Sequence, residues 1–419
     1  MSNISPQRFV SRSKNKIFFF AKINAYTHVQ FMGILKYCLD ENPDTLIFDF
    51  SKVKSAYPDG MIPIINTIDI LRRQKIKIKC IYPYNDDCKT LFIRANWAHL
   101  ITPEDFQPEV IKHEKHLIAR RFVSSQEQQE VVNDFVKIVL STLDVTRSVL
   151  SGLEWSINEI TDNVLNHSGS SIGGIIQVST YPKNGSVSFA VGDSGRGILT
   201  SLKEAIPTLR TDLEALGEAV KSGVTRNNQF GQGNGLAGTL RIATMTGGSF
   251  SITSGQGYIK VFDNDSNKKQ RYTHQNFIGT LVCADIKTNT PFNLSSALEF
   301  EGYQNSTPVD IIETNYETES SLLLLISKES TGFGNRGAGK QLRQTVLNLL
   351  KMDLSRPIEL NWSGIPLISS SFADEFLGKL FLELGPMSFG ARIRNTGMET
   401  LIRDLLEKAI TQRLTQAND

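Results

Sequence analysis

Glu159, Asn163 and His167 recur at every fourth position. On a helix turning ~100° per residue their side chains share one stripe, and Leu153, Ile157, Ile160 and Val164 form an adjoining apolar stripe. One flank can therefore pack on a sheet while the other offers a carboxylate and a carboxamide to a cavity. Oxygen ligands of this kind suit Mg²⁺, which keeps several of its waters, and a carboxylate beside them can take a proton from water or from a hydroxyl. Asp193 ends a strand pattern and is followed by Ser194-Gly195-Arg196-Gly197. Its carboxylate can accept a hydrogen bond while the backbone beyond it approaches a flat ligand with no Cβ in the way. Gly231-Gln232-Gly233-Asn234-Gly235-Leu236 then leads into a helix pattern reaching Met245. Alternate glycines before a helix present successive N–H groups and the positive end of the helix dipole, which suits phosphate oxygens.

In order and spacing, these three segments and the later Gly279-Thr280 resemble the N box, G1 box, G2 box and closing Gly-Thr of the GHKL ATPases. That superfamily includes gyrase B subunits, MutL, histidine kinases and the anti-sigma-factor serine kinases. The resemblance spans residues 125–287 and implies ATP and Mg²⁺ as ligands. Carried over by position, it implies Glu159 as general base and Asn163 as the residue holding the metal against the phosphates. Asp193 would accept from the adenine amino group, with Gly195 and Gly197 letting base and lid sit close. Gly231, Gly233 and Gly235, with Leu236 beside them, would cradle phosphate, and Thr280 would reach adenine through water. Residues 198–230 would form a lid, with Lys221 and Arg226 as phosphate contacts. The run from Asn158 to Asn163, His167-Ser168 and Gly235-Leu236-Ala237-Gly238 look closest to the anti-sigma serine-kinase branch. None of His28, His99, His113 or His116 sits in the Glu-rich helix a phosphoacceptor histidine needs, which disfavours a two-component sensor.

The flanking blocks resemble STAS-type domains, and the C-terminal one looks like the STAS-like domain called DUF4325, on Arg336, Ile358-Glu359-Leu360 and Ser369-Ser370-Ser371-Phe372-Ala373-Asp374-Glu375-Phe376. Antagonist proteins of that fold are phosphorylated on a serine at a helix start. Ser370 or Ser371 stands there, although Ile368-Ser369-Ser370-Ser371-Phe372 departs from the usual Asp-Ser-Ser-Gly. The N-terminal block has Tyr57-Pro58-Asp59-Gly60 at the matching point. Gly334-Asn335-Arg336-Gly337-Ala338-Gly339-Lys340-Gln341 imitates a P-loop, but Gln341 stands where Ser or Thr should hold magnesium, so it reads as a glycine-rich lead into a helix.

Certain elements must position these groups. Strand patterns at 17–23, 46–50 and 76–81 alternate with helical patterns at 26–39 and 61–71, a βαβαβ order. Long helices are expected at 127–143 and 146–167, followed by strands at 174–181 and 186–191. The last block reads strand 322–326, helix to 350, strand 357–362, helix 372–384 and helix 398–414. The expected organisation is a STAS-like unit 1–104, linker 105–124, ATP-binding unit 125–287, linker 288–320 and STAS-like unit 321–419. The fold class is α/β: a central GHKL sandwich, a mixed sheet with helices on one face, flanked by two STAS-like βα domains.

Composition narrows the function. The chain has 419 residues, 45 Lys plus Arg against 43 Asp plus Glu, and net charge +2. The overall charge gives no argument for nucleic acid or an anionic membrane, though it leaves a local patch open. Cys38, Cys80, Cys88 and Cys283 make no CxxC pair, against a zinc cage or a disulfide framework. No apolar run approaches the ~20 residues of a spanning helix, and the expected location is cytoplasmic. The expectation is an ATP-dependent regulatory protein that meets protein partners through its STAS-like units, with homodimerisation by analogy. The alternatives are a serine kinase acting on a STAS serine and an assembly module that binds ATP without turnover.

Overall fold

The computed structural model describes residues 9–109, 116–221, 234–262, 269–299, 310–330 and 332–416. The first unit contains β1 (Val10–Ser13), β2 (Lys16–Ile23), α1 (Ala25–Leu39), β3 (Thr45–Ala56), α2 (Pro58–Arg73), β4 (Lys77–Ile81), α3 (Asp86–Arg94) and α4 (Trp97–Ile101). Its sheet has the order β1-β2-β3-β4, with β2, β3 and β4 parallel and β1 antiparallel at the edge. Phe19, Phe48 and Phe50 form one face and meet Phe31 of α1 and Phe92 of α3 through ring contacts. Helix α2 starts with Pro58 at its first turn, where a missing N–H costs nothing. It buries Met61, Ile62, Ile64, Ile65 and Ile68 around most of its circumference, as a helix enclosed on both sides must.

What encloses α2 on its far side is the second sheet. It is built from β5 (His116–Phe122), β6 (Gly174–Tyr181), β7 (Ser186–Asp193), β8 (Ser249–Phe262) and β9 (Lys269–Lys287), in the order β5-β6-β7-β9-β8. Every described pairing in it is antiparallel, where a mixed sheet is the expectation; the connections that fix this are the tight β6–β7 hairpin and the β8–β9 pairing. Ile176, Val178, Phe189, Val191, Phe250, Ile252, Val282 and Ala284 point to one face. There they bury α5 (Ser125–Thr142), α6 (Arg147–His167) and α9 (Gly235–Met245). The other face, with Ala119, Ile175, Ala190 and Leu281, joins the core of the first unit. A Cβ on Gly192 would lie 2.6 Å from Ile62 Cγ2, so α2 sits directly on the sheet. Trp97 Nε1 donates to Gln177 Oε1 at 2.7 Å across the seam, and Arg121 pairs with Asp69 of α2.

Strand β5 lies inside the segment expected as a linker. Its charged Arg120 and Arg121 hide it, since each is spent on an ion pair: Arg120 reaches Glu130 and Asp134 of α5, both at 2.7 Å. Two short helices, α7 (Gly197–Leu202) and α8 (Asp212–Ala219), follow β7.

Beyond β9 come α10 (Leu294–Ala297), α11 (Ile311–Asn315), β10 (Leu322–Leu325), α12 (Ile326–Glu329), α13 (Arg336–Met352), β11 (Ile358–Asn361) and α14 (Ser370–Ala373). A π-helical turn (Asp374–Gly378), α15 (Lys379–Arg392), β12 (Ile393–Thr396) and α16 (Thr400–Gln416) complete the chain. Strands β10, β11 and β12 are parallel in that order. The helix expected over 372–384 changes pitch at the π turn and ends where expected, at Gly385, whose φ is +72°, but helical turns resume beyond it to Arg392. The segment 334–341 opens α13: Asn335 caps it by accepting from Ala338 N at 2.9 Å. A Cβ on Gly339 would stand 2.8 Å from Phe372 O, so that glycine serves helix packing.

Candidate functional site

Helix α6 carries the polar stripe, and its buried flank is held by Leu153, Ile157, Ile160 and Val164. Thr146 fixes its start by accepting from Val149 N. A Cβ on Gly235, the first residue of α9, would lie 2.5 Å from Glu159 Oε2 and 3.4 Å from Asn163 Nδ2. The start of α9 therefore closes on these two side chains and brings its free N–H groups to them. Burial first, and then the neighbouring Asp162, push the Glu159 carboxyl up to about 7, a poise suited to a general base near neutral pH. Gly235→Ala should displace the Glu159 carboxylate while leaving the fold intact, because the obstructed atom ends a flexible side chain. ATP turnover by the variant should fall about a hundredfold with the thermal midpoint moved by no more than a few degrees.

At the other end of the site, Asp193 terminates β7 and is 4% exposed. Its Oδ1 accepts from Gly195 N at 2.7 Å, and the Thr280 backbone N–H also donates to the carboxylate. Burial outweighs those two bonds and raises its carboxyl to about 6. The chain then crosses the end of α6. Arg196 N donates to Ser168 O at 2.9 Å, and a Cβ on Gly195 would be 2.2 Å from that same oxygen. Gly197 and Gly279 hold φ of +77° and +85°, values glycine adopts without strain. Ser254 ties the two loops together by accepting from Ile198 N at 3.0 Å and donating to Gly279 O at 2.8 Å.

Glu159, Asn163 and Gly235 are thus brought together, as are Asp193, Gly195, Gly197 and Thr280. Leu236 is half-buried and packs against both neighbouring apolar clusters. Lys221 is exposed and paired with Glu218 at 2.6 Å. Gly231, Gly233 and Arg226, with most of the second half of the expected lid, lie outside the described residues. In the C-terminal unit the helix cap is Ser369, which accepts from Phe372 N at 3.1 Å, whereas Ser370 is exposed and Ser371 meets Ser369 Oγ at 3.0 Å. Ser254 and Trp155, whose ring a Cβ on Gly238 would meet at 2.2 Å, escape the sequence reading. Neither stands in a motif, and only their tertiary neighbours reveal them.

The residues fit a magnesium nucleotide. Ser194 Oγ and His167 Nδ1 are buried beside Asp193 and the end of α6 without a hydrogen-bond partner, and the glycines at 195, 235 and 279 let the loops close directly on Ser168 O, Glu159 and Asp193 O, where a Cβ would collide. Among the described residues no group of three or more His, Cys, Asp or Glu could cage a metal. The donor the site does present, the Asn163 carboxamide one turn from Glu159, is of the kind Mg²⁺ takes singly, completing its shell with phosphates and water.

The family of histidine kinase-, DNA gyrase B- and HSP90-like ATPases matches residues 149–273. The chain carries a GHKL-type ATPase domain. The STAS-like domain of unknown function DUF4325 matches residues 338–406, over α13, β11 and the helices and strand that follow. Among curated proteins none matches the chain. No helix among the described residues is long and apolar enough to cross a membrane.

Proposed function

We propose that this protein is a Mg·ATP-binding regulatory ATPase whose nucleotide state is passed to its flanking units through α6. The observation carrying the reading is the closure of Gly235 on Glu159 and Asn163, across the sheet end from the buried Asp193. In it, Asn163 holds the metal, which would neutralise charge on the phosphates. Glu159 takes the proton from the attacking water, Asp193 accepts from the adenine amino group, and the start of α9 receives phosphate oxygens. The link to the C-terminal unit is polar and specific. Arg147, in the first turn of α6, pairs with Asp310 at 2.5 Å and Glu317 at 3.0 Å. Glu317 in turn binds Arg356 beside β11 at 2.7 Å. A shift of α6 on nucleotide binding is therefore felt at β11.

Calorimetric titration with Mg·ATP and incubation with γ-labelled ATP test this. Saturable heat and label recovered as inorganic phosphate are expected. Label on protein would make it a kinase of the partner-switch type, binding without release would leave an assembly module, and no heat at millimolar nucleotide would end the reading altogether.

A further inference from the structure

The first unit's sheet has a second face. Phe19, Phe48 and Phe50 turn towards α1 and α3, so alternation turns Phe18 and Phe20 the other way. The register sets Lys16, Ile47 and Lys79 in one row across β2, β3 and β4, and Phe18, Asp49 and Ile81 in the next. Phe20 lies opposite Lys52. Lys22, Lys52, Lys54, Lys77 and Lys79 are exposed and have no carboxylate within ion-pair distance among the described residues. Asp49 is the sole acid in these three strands and is already held by Lys16 at 2.6 Å. The Phe18 and Phe20 rings lie nearly parallel, 16° apart with centroids separated by 6.4 Å. Lys16 Nζ stands 4.8 Å from the first ring centroid and Lys52 Nζ 5.7 Å from the second, while Lys22 Nζ is 4.6 Å from the ring of the exposed Tyr57.

We propose that this face binds single-stranded nucleic acid, with unpaired bases stacking on Phe18 and Phe20 and the lysines taking the phosphates. Charge fixes the sign of the partner: five exposed ammonium groups outside any described ion pair, of which Lys22 feels the nearby Asp59 carboxylate, match a polyanion. The rings fix its kind. Two near-parallel aromatic rings on the sheet face can take splayed bases, once the ammonium groups that stand over them, Lys16 on Phe18 and Lys52 on Phe20, swing aside to the phosphates. A duplex keeps its bases stacked and offers nothing to the rings, and among the described residues no helix projects from this face to enter a groove. The near-neutral total of 45 Lys plus Arg against 43 Asp plus Glu conceals this local excess of lysine. The inference is independent of the nucleotide site, which lies on the far side of the second sheet from these strands.

Fluorescence anisotropy of a labelled oligothymidylate and a labelled oligouridylate with the full chain tests it. Saturable binding of at least one is expected, with log K falling against log salt by about 0.7 for each phosphate contacted. Phe18→Leu/Phe20→Leu keeps apolar bulk but removes the flat rings, and should weaken binding at least about tenfold. Lys52→Glu/Lys79→Glu should remove binding and, being confined to exposed side chains, leave the melting temperature within a few degrees of wild type. Absence of saturable binding at low salt would overturn the proposal. So would binding that the leucine variant leaves unchanged and that polyglutamate or phosphatidylserine vesicles compete away equally well, for the face would then be a general anion or membrane contact.

Discussion

Glu159→Gln is expected to slow ATP turnover by about 10²–10⁴-fold while leaving Mg·ATP binding close to wild type, and Asn163→Ala to lose the binding itself. The two residues sit one turn apart on α6 and both meet the start of α9, yet their chemistry differs. A glutamine fills the same space as the glutamate and can still point at a water, but it cannot accept a proton from it. In the proposed site the asparagine oxygen would be a metal ligand, and an alanine there offers nothing in its place. Because burial raises the Glu159 carboxyl to about 7, the group is protonated and inactive as a base on the acid side. Wild-type turnover should therefore rise with pH through a limb at or below about 7, since a nearby cation favours the ionised form. The residual rate of the glutamine variant should lack that limb. Turnover by Glu159→Gln at the wild-type rate, measured as phosphate release, would remove Glu159 from the role.

The parts of this site that were legible in the sequence are those in which position along one element decides position in space. Glu159 and Asn163 share a helix stripe whatever the helix packs on, and Gly195, Gly197 and Gly279 announce backbone that a side chain would obstruct. What joins the elements was not legible. Nothing near Ser254 in the sequence marks it as the bridge between Ile198 N and Gly279 O, because both partners are remote along the chain. Strand β5 was lost for an electrostatic reason: Arg120 and Arg121 look solvated until Glu130, Asp134 and Asp69 are seen to meet them. In the last unit, the helical turns beyond Gly385 and the short β12 were not legible, because the stretch after that glycine has too few periodic or alternating residues to read as helix or strand.

The covering of the central sheet on both faces carries a consequence for coupling. Ala119, Ile175, Ala190 and Gly192 are small or branched residues that let α2 approach closely, and β7, whose last residue is Asp193, lies between α2 on one side and α6 on the other. Movement at the Asp193 end of the site therefore has packed side chains against it in both directions. The seam also traps polar atoms: both amide atoms of Asn66 on α2 are buried and unpaired. Such groups disfavour the docked arrangement by about 1–3 kcal/mol each, so the contact is less secure than its apolar content alone suggests.

Asn348→Ala is expected to destabilise the join between the ATPase domain and the C-terminal unit by about 3 kcal/mol, the cost of leaving buried backbone groups without partners. Asn348 lies on α13 and is 0% exposed. Its Nδ2 donates to Leu140 O at 2.8 Å and to Leu143 O at 2.7 Å, and its Oδ1 accepts from Val145 N at 3.3 Å. These are the terminal carbonyls of α5 and the turn that launches α6, groups no helix satisfies for itself. A single amide from another unit thus finishes one helix and positions the next. Asn348→Asp should be as damaging, because a carboxylate cannot donate to two carbonyls. Lys351→Ala, one turn further along α13, removes only an exposed pair with Asp144 and should cost less than about 1 kcal/mol. Urea unfolding gives the size of each effect, and amide exchange at residues 143–150 gives its place: fast exchange there in Asn348→Ala, but not in Lys351→Ala, is the expected pattern. An Asn348→Ala protein that unfolds at the wild-type urea concentration would mean that the turn is held by its own residues, and that the C-terminal unit has no such grip on the start of α6.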